Sequence, residues 1–244
     1  MLDEASVTEM DRFRSLGHSA FVVGYTGEVG KVLVDELNKQ KIFQRVVLIG
    51  RREVALDVGQ EFEQKVVDFD KIHEHKEIFN GLDTGFCCLG TTRGKSGRDG
   101  FIRVDRDYVL NTAEVAKSQG CKHFSLVSSM GADKNSCLLY PKIKGEVEAT
   151  LADMKFERFS IFRPGMLLCD RTERRTMEKV SIALLKPITS CFPTLLSAPV
   201  RTVAKAMINN VITPTDSSLP ELYENKPIHQ LAEGIVHQSK PKRS

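Results

Sequence analysis

Apolar positions along the chain fall into short runs that alternate with stretches of helical spacing. Ala20 to Val23 is an apolar run closed by Gly24, and Val29, Val32, Leu33 and Leu37 then recur on one helix face. Val46 to Ile49, closed by Gly50, predicts a second buried strand, Lys65 to Phe69 a third and Gly85 to Leu89 a fourth, with a helical stretch from Ile72 to Phe79 leading into the last. The glycine-rich stretch from Gly90 to Gly100 predicts a basic loop, either a lid that closes over a ligand or a plain flexible surface segment. A long helical pattern follows through Val104, Tyr108, Val109, Val115 and Ala116, stopped by Gly120. His123 to Val127 and Phe159 to Phe162 predict two more strands, separated by a loop with Gly131 and a helix from Pro141 to Met154.

Six strands alternating with helices predict an α/β fold: a doubly wound parallel sheet covered on both faces. Residues 1–18 are polar, with Met10, Phe13 and Leu16 at the spacing of a short docking helix or a loose arm. Residues 19–165 are the expected core. Beyond Gly165 the pattern weakens into a charged stretch, the apolar segment Val180 to Leu185, three scattered prolines and one amphipathic segment from Val203 to Val211. Residues 166–244 therefore read as a small C-terminal lobe and tail within the same domain.

Composition adds mild constraints. A chain of 244 residues, 41% hydrophobic and 27% charged, can bury a core without disulfide or metal staples. Thirty-five Lys and Arg against 32 Asp and Glu leave +3, too evenly mixed for direct nucleic-acid binding. No apolar run approaches the ~18 residues needed to span a bilayer, although Val180 to Leu185 leaves a peripheral membrane contact open. The first residues lack a secretory pattern, which predicts a reducing, cytoplasmic setting. The six cysteines, Cys87, Cys88, Cys121, Cys137, Cys169 and Cys191, include no C-x-x-C pair and read as buried thiols, with no metal site.

The chemistry concentrates in two places. Gly24-Tyr25-Thr26-Gly27-Glu28-Val29-Gly30 reads G-x-x-G-x-x-G between a strand and a helix, the context in which glycines let backbone approach a pyrophosphate at a helix N-terminus. At the end of the second strand, where an NAD site expects a carboxylate, stand Arg51 and Arg52. Their guanidinium forks suit a 2′-phosphate, so NADP(H) is expected over NAD(H), with Glu53 as a blurring neighbour. Asp68 fits either an adenine contact or a helix cap.

Tyr140 and Lys144 are four apart, one turn on the same helix face. A nearby lysine cation favours tyrosinate and would make Tyr140 a usable acid or base. Ser128, at the end of a strand upstream, would hydrogen-bond a substrate oxygen, with Ser129 as its rival. Leu184, Leu185, Leu195 and Leu196 are candidate lining for a substrate cleft and suggest an apolar or lipid-like carbonyl.

The glycine turn, the Ser128, Tyr140, Lys144 set and Arg163-Pro164-Gly165 resemble the atypical, extended-type short-chain dehydrogenases. More narrowly, Leu48 to Arg52, Phe86 to Lys95, Val104 to Leu110 and Phe162 to Gly165 resemble the Tat-interacting oxidoreductase family. That resemblance implies an NADPH-binding Rossmann-like protein, described as a pro-apoptotic, metastasis-suppressing factor that restrains nuclear import through importin-type carriers, and so adds the nucleus or its envelope to the cytoplasm. It implies that Thr26, Gly27, Glu28 and Val29 line the pyrophosphate, Arg51 and Arg52 the 2′-phosphate, and Leu89 and Gly90 the adenosine. Tyr140, Lys144, Leu167 and Arg175 complete the implied cofactor site. Two departures stand out: Asp105 where extended dehydrogenases usually carry Asn, and a poor match from Arg171 to Pro199.

Two function classes follow. One is an NADP-dependent oxidoreductase acting on a small carbonyl or alcohol. The other is a regulatory protein that binds NADP(H) and acts through protein partners.

Overall fold

The structure, a computed structural model, describes residues 8–168, 197–215 and 219–234. Seven strands form one all-parallel sheet: β1 (Ser19–Val23), β2 (Arg45–Gly50), β3 (Phe62–Val66), β4 (Thr84–Cys87), β5 (His123–Val127), β6 (Arg158–Arg163) and, after two short strands described below, β9 (Glu221–Glu224). Their order is β3-β2-β1-β4-β5-β6-β9, so the direction of winding reverses between β1 and β4. Ligands of open α/β sheets bind beyond the strand ends at such a reversal. The register places Val23 beside Ile49 on one side and Cys87 on the other, which brings the three chain exits together.

Both faces of the central strands are covered, so every residue of β1, β4 and β5 is buried, the polar Thr84, His123 and Ser125 included. One face carries α2 (Glu28–Gln40), α6 (Val200–Ile212) and α7 (Asn225–Ala232), with Val29, Leu33, Val203 and Met207 packed on the sheet. The other carries a 3₁₀ helix (Phe69–Phe79), α4 (Tyr108–Ser118) and α5 (Leu139–Asp153). The arm forms α1 (Glu9–Ser15), and of its two expected forms it is the docking helix: Phe13 stacks on His18 and meets Phe43 edge-on. Leu16 stays out in solvent.

Several boundaries differ from the hydrophobic pattern, for identifiable reasons. The third strand is Phe62–Val66, not Lys65 to Phe69, because pairing with β2 selects an edge segment of mixed residues while Val67 and Phe69 are buried beyond it. The stretch expected as a loop from Gly90 to Gly100 becomes helical at α3 (Arg93–Ile102), where Gly97 at φ +71° absorbs a kink, and a π turn (Arg103–Asp107) joins it to α4. Helix α5 begins at Leu139, so Pro141 stands third, still in the first turn where its missing N–H costs nothing.

Strand β9 has no apolar run to announce it. Its end residues are acids satisfied by β6: Arg158 pairs with Glu221 and Arg163 with Glu224, each at 3.1 Å. Two short strands, β7 (Met166–Leu168) and β8 (Ser197–Pro199), pair in parallel beside the site. Cys87 and Cys121 are buried and Cys88 is half-buried, but Cys137 is exposed in the loop before α5, against the expectation of buried thiols. Cys169, Cys191 and the apolar segment Val180 to Leu185 lie outside the described residues.

Candidate functional site

The chain leaves β1 through Gly24, whose φ of +78° favours glycine. A Cβ there would lie 2.5 Å from the Cys88 carbonyl, and one at Gly30 would lie 2.2 Å from the carbonyl oxygen of Gly24. Both positions must therefore stay bare, and backbone alone forms the floor between β1 and β4. Gly27 caps α2 without a side-chain hydrogen bond, which leaves the amides of the first turn for an anion. Thr26 and Glu28 flank this cradle half-buried, whereas Val29 points its side chain into the core. Donors and shape both fit a dinucleotide pyrophosphate.

Arg51 and Arg52 follow β2, exposed, next to that cradle. The intervening Tyr25 is 1% exposed, and its ring lies against Gly50, where a Cβ would meet Cε1 at 2.6 Å. Its hydroxyl lies 2.8 Å from the Arg52 carbonyl and 2.9 Å from Gln64 Oε1. Burial, then the nearby Glu53 charge, hold this phenol above its ordinary range, so it remains a donor. Asp68 takes the capping role: it is exposed, and its carboxylate accepts from the Asp70 N–H at 3.0 Å. Leu89 is half-buried at the exit of β4, followed by exposed Gly90.

Tyr140 and Lys144 lie one turn apart at the start of α5, as their spacing predicts. The Tyr140 ring is 40% exposed and stacks on Phe101 at 5.5 Å. Lys144 is buried, its Nζ 2.7 Å from Asp105 Oδ1 in a close ion pair rather than an aligned hydrogen bond. The other oxygen of Asp105 accepts from the Thr91 N–H at 2.8 Å, tying the pair to the loop after β4. Burial opposes the lysine charge, but Asp105 and then Tyr140 outweigh it and hold the ammonium above its ordinary pKa. Asp105 reaches inward from the π turn, a distortion common at functional positions.

Ser128 is buried, and its hydroxyl donates to Glu148 Oε1 at 2.5 Å. Arg163 clamps the same carboxylate through Nε at 3.0 Å and Nη2 at 2.5 Å. Sequence reasoning passed over Glu148, yet its spacing continues the Tyr140, Lys144 series down one helix face. Ser129 donates weakly to the Met130 carbonyl at 3.3 Å. A cavity of about 360 Å³ opens here, lined by Ser128, Ser129, Tyr140, Pro164, Met166 and Leu167 among others. Arg175 and the leucines at 184, 185, 195 and 196 lie outside the described residues. Among the described residues, no His, Cys, Asp and Glu side chains are grouped to hold a metal, and no helix is long and apolar enough to cross a membrane.

Residues 24–184 match the family described as NAD(P)H-binding. The chain is 47% identical to the Rattus norvegicus protein HTATIP2 over 95% of its own length and 96% of the relative's. The chain belongs to the NAD(P)H-binding family, in its Tat-interacting oxidoreductase branch. A second relative, the protein of Scheffersomyces stipitis named FMP52-1, mitochondrial, is 30% identical over 87% of this chain and 98% of its own. Among solved structures, a short-chain dehydrogenase/reductase-family oxidoreductase from Burkholderia thailandensis superposes with a TM-score of 0.64 at 14% identity, covering 86% of this chain and 92% of that one. At that identity the likeness shows the fold, which is the doubly wound α/β architecture expected of an NAD(P)H-binding oxidoreductase.

Proposed function

We propose that this member of the Tat-interacting branch is an NADP(H)-dependent oxidoreductase acting on an uncharged, apolar carbonyl or alcohol. The observation that carries this reading is the convergence, beyond one end of the sheet, of the bare glycine cradle with the Tyr140, Lys144, Asp105 cluster beside a cavity. Arg51 and Arg52 would hold the 2′-phosphate, and Leu89 with Gly90 the adenosine side. A nicotinamide held in this site would supply or accept the hydride. Tyr140 exchanges the proton at the substrate oxygen. Lys144, kept cationic by Asp105, places a positive charge one helix turn from Tyr140 and would hold the nicotinamide ribose. Ser128 contributes oxygen lone pairs to the pocket, since Glu148 holds its proton. Met130, Met166 and Leu167 around the cavity support an apolar substrate, with no charged side chain among the described lining residues.

Binding is the first test. Thermal shift and calorimetry with NADPH, NADP⁺, NADH and NAD⁺ should show a preference for the phosphorylated pair, lost in an Arg51→Ala, Arg52→Ala double variant. A ligand at 100 times its Kd stabilises by about 2.7 kcal/mol, well within detection. Equal affinity for all four in the wild type would overturn the assignment.

A second reading is favoured by two specific contacts: the Ser128 proton engaged by Glu148 and the Lys144 charge engaged by Asp105. Both reduce catalytic freedom. They favour a regulatory protein that binds NADP(H); by the family resemblance alone, its partners would be importin-type carriers in the cytoplasm or at the nuclear envelope, with apoptosis and tumour suppression as outputs. Single-turnover oxidation of NADPH with apolar aldehydes separates the two readings. A burst that disappears in Tyr140→Phe supports the enzyme, and its absence in the NADPH-loaded wild type supports the regulator.

A further inference from the structure

The basic pair at the end of β2 is fastened to the phosphate cradle by a side chain of the cradle itself. Tyr25 lies between Gly24 and Gly27 and is buried at 1% exposure, so its ring cannot swing out to meet a ligand. Gly50, the last residue of β2, gives the ring its seat because a side chain there would collide with it. From that seat the hydroxyl reaches the Arg52 carbonyl at 2.8 Å and Gln64 Oε1 at 2.9 Å, sharing one proton between two acceptors. Gln64 on β3 in turn clamps the backbone of Val54 from both sides: its Oε1 accepts from the Val54 N–H at 3.0 Å and its Nε2 donates to the Val54 carbonyl at 2.9 Å.

The segment carrying Arg51 and Arg52 is therefore pinned at residues 52 and 54, while both arginine side chains remain exposed. A flexible segment would lose conformational freedom on binding a phosphate, and pinning removes that cost in advance. We propose that Tyr25, backed by Gln64, is a positioning residue for 2′-phosphate recognition: it holds the Arg51-Arg52 backbone in the binding conformation and so sets the preference for NADP(H) over NAD(H). The inference rests on the dinucleotide reading above and adds the element that aims the arginines.

Adenosine 2′,5′-bisphosphate and 5′-AMP, which differ by the 2′-phosphate alone, are suitable calorimetric probes. Tyr25→Phe keeps the ring and removes the hydroxyl. It should weaken the bisphosphate about tenfold, the usual scale for one lost hydrogen bond to a preorganised site, and leave 5′-AMP within about twofold. Gln64→Leu should move the same ratio in the same direction, and it gives an independent variant if Tyr25→Phe folds poorly. In the Arg51→Ala, Arg52→Ala background, adding Tyr25→Phe should have no further effect on the bisphosphate. A purely structural tyrosine would weaken both probes equally, or neither, and would act equally in both backgrounds; either result overturns the inference. If the wild type itself fails to favour the bisphosphate, the NADP(H) reading falls first, and that failure is seen before any tyrosine variant is made.

Discussion

The two ends of the site are built by opposite means. Beyond β1 and β2 the architecture uses shape and neutral groups: bare glycines, the Tyr25 phenol, the Gln64 amide and a backbone that leaves Arg51 and Arg52 in solvent. Beyond β4, β5 and β6 it uses charge held inside the protein, with Asp105 against Lys144 and Glu148 against Arg163. The first arrangement leaves its cations exposed to an incoming anion. The second spends its charges on one another, so each partner depends on the other to be tolerated where it stands. Disturbing the first end should change what binds, and disturbing the second should change whether the protein folds.

The largest expected effect is therefore at the charged end. Asp105→Ala leaves Lys144, 8% exposed, without its compensating carboxylate. Breaking a buried pair by removing one partner costs about 3–5 kcal/mol, so urea unfolding should show a loss on that scale. Asp105→Asn keeps an oxygen for the Thr91 N–H and should lose less. A loss under about 1 kcal/mol in Asp105→Ala would mean that the pair is effectively solvated and the contrast is false.

Glu148→Gln comes next. The amide preserves volume but offers Arg163 a neutral acceptor and can hold the Ser128 proton only weakly. A hydrogen bond to a charged group contributes about 1.5–3 kcal/mol, so that is the expected loss. If turnover on a carbonyl substrate rises while stability falls, Glu148 restrains Ser128. If both fall together, it orients the serine for chemistry.

The middle of the scale belongs to the far end of β5. His123 is buried with Nε2 2.8 Å from Ser160 Oγ, and burial first, then the Arg158 charge, depress its pKa well below 6.5. The imidazole is thus neutral in the folded protein and takes up a proton more readily when unfolded. Because the unfolded chain binds the extra proton below its ordinary pKa, stability should fall by up to about 1.4 kcal/mol per pH unit as pH drops beneath 6.5. Denaturant midpoints at pH 7.5, 6.5 and 5.5 test this, and His123→Gln should flatten that slope.

How much of this was legible follows the same division. The glycine turn could be read because each glycine answers a local demand of backbone, and the arginine pair because it follows a strand whose apolar run is unbroken. The Tyr140, Lys144 pair could be read because four residues make one helix turn. What escaped was anything fixed by pairing across the sheet: β3 settled against β2 on mixed residues, and β9 joined the edge through Glu221 and Glu224 on the arginines of β6. Glu148 escaped for a related reason, since a carboxylate on a helix becomes notable only when the arginine at the end of the following strand meets it. Tyr25 lay in plain view inside the motif, but its partner Gln64 belongs to a strand whose boundaries the hydrophobic pattern misplaced.

The smallest expected change in stability, and the sharpest test of the contrast, is at Arg51 and Arg52. Both are exposed at the end of β2, and surface substitutions away from buried features usually shift stability by no more than about 0.5 kcal/mol. The double alanine variant should therefore unfold at the wild-type urea midpoint. Its affinity for NADPH should nevertheless fall, because the guanidinium groups supply charge-assisted hydrogen bonds that no neighbouring neutral group can replace. That loss should shrink with added salt in the wild type's comparison series, since exposed charges are screened over about 8–10 Å at physiological ionic strength. A variant that loses stability together with affinity would show the arginines to be part of the scaffold. One that keeps both would move phosphate recognition away from β2, and would leave the neutral end of the site a cradle for the pyrophosphate alone.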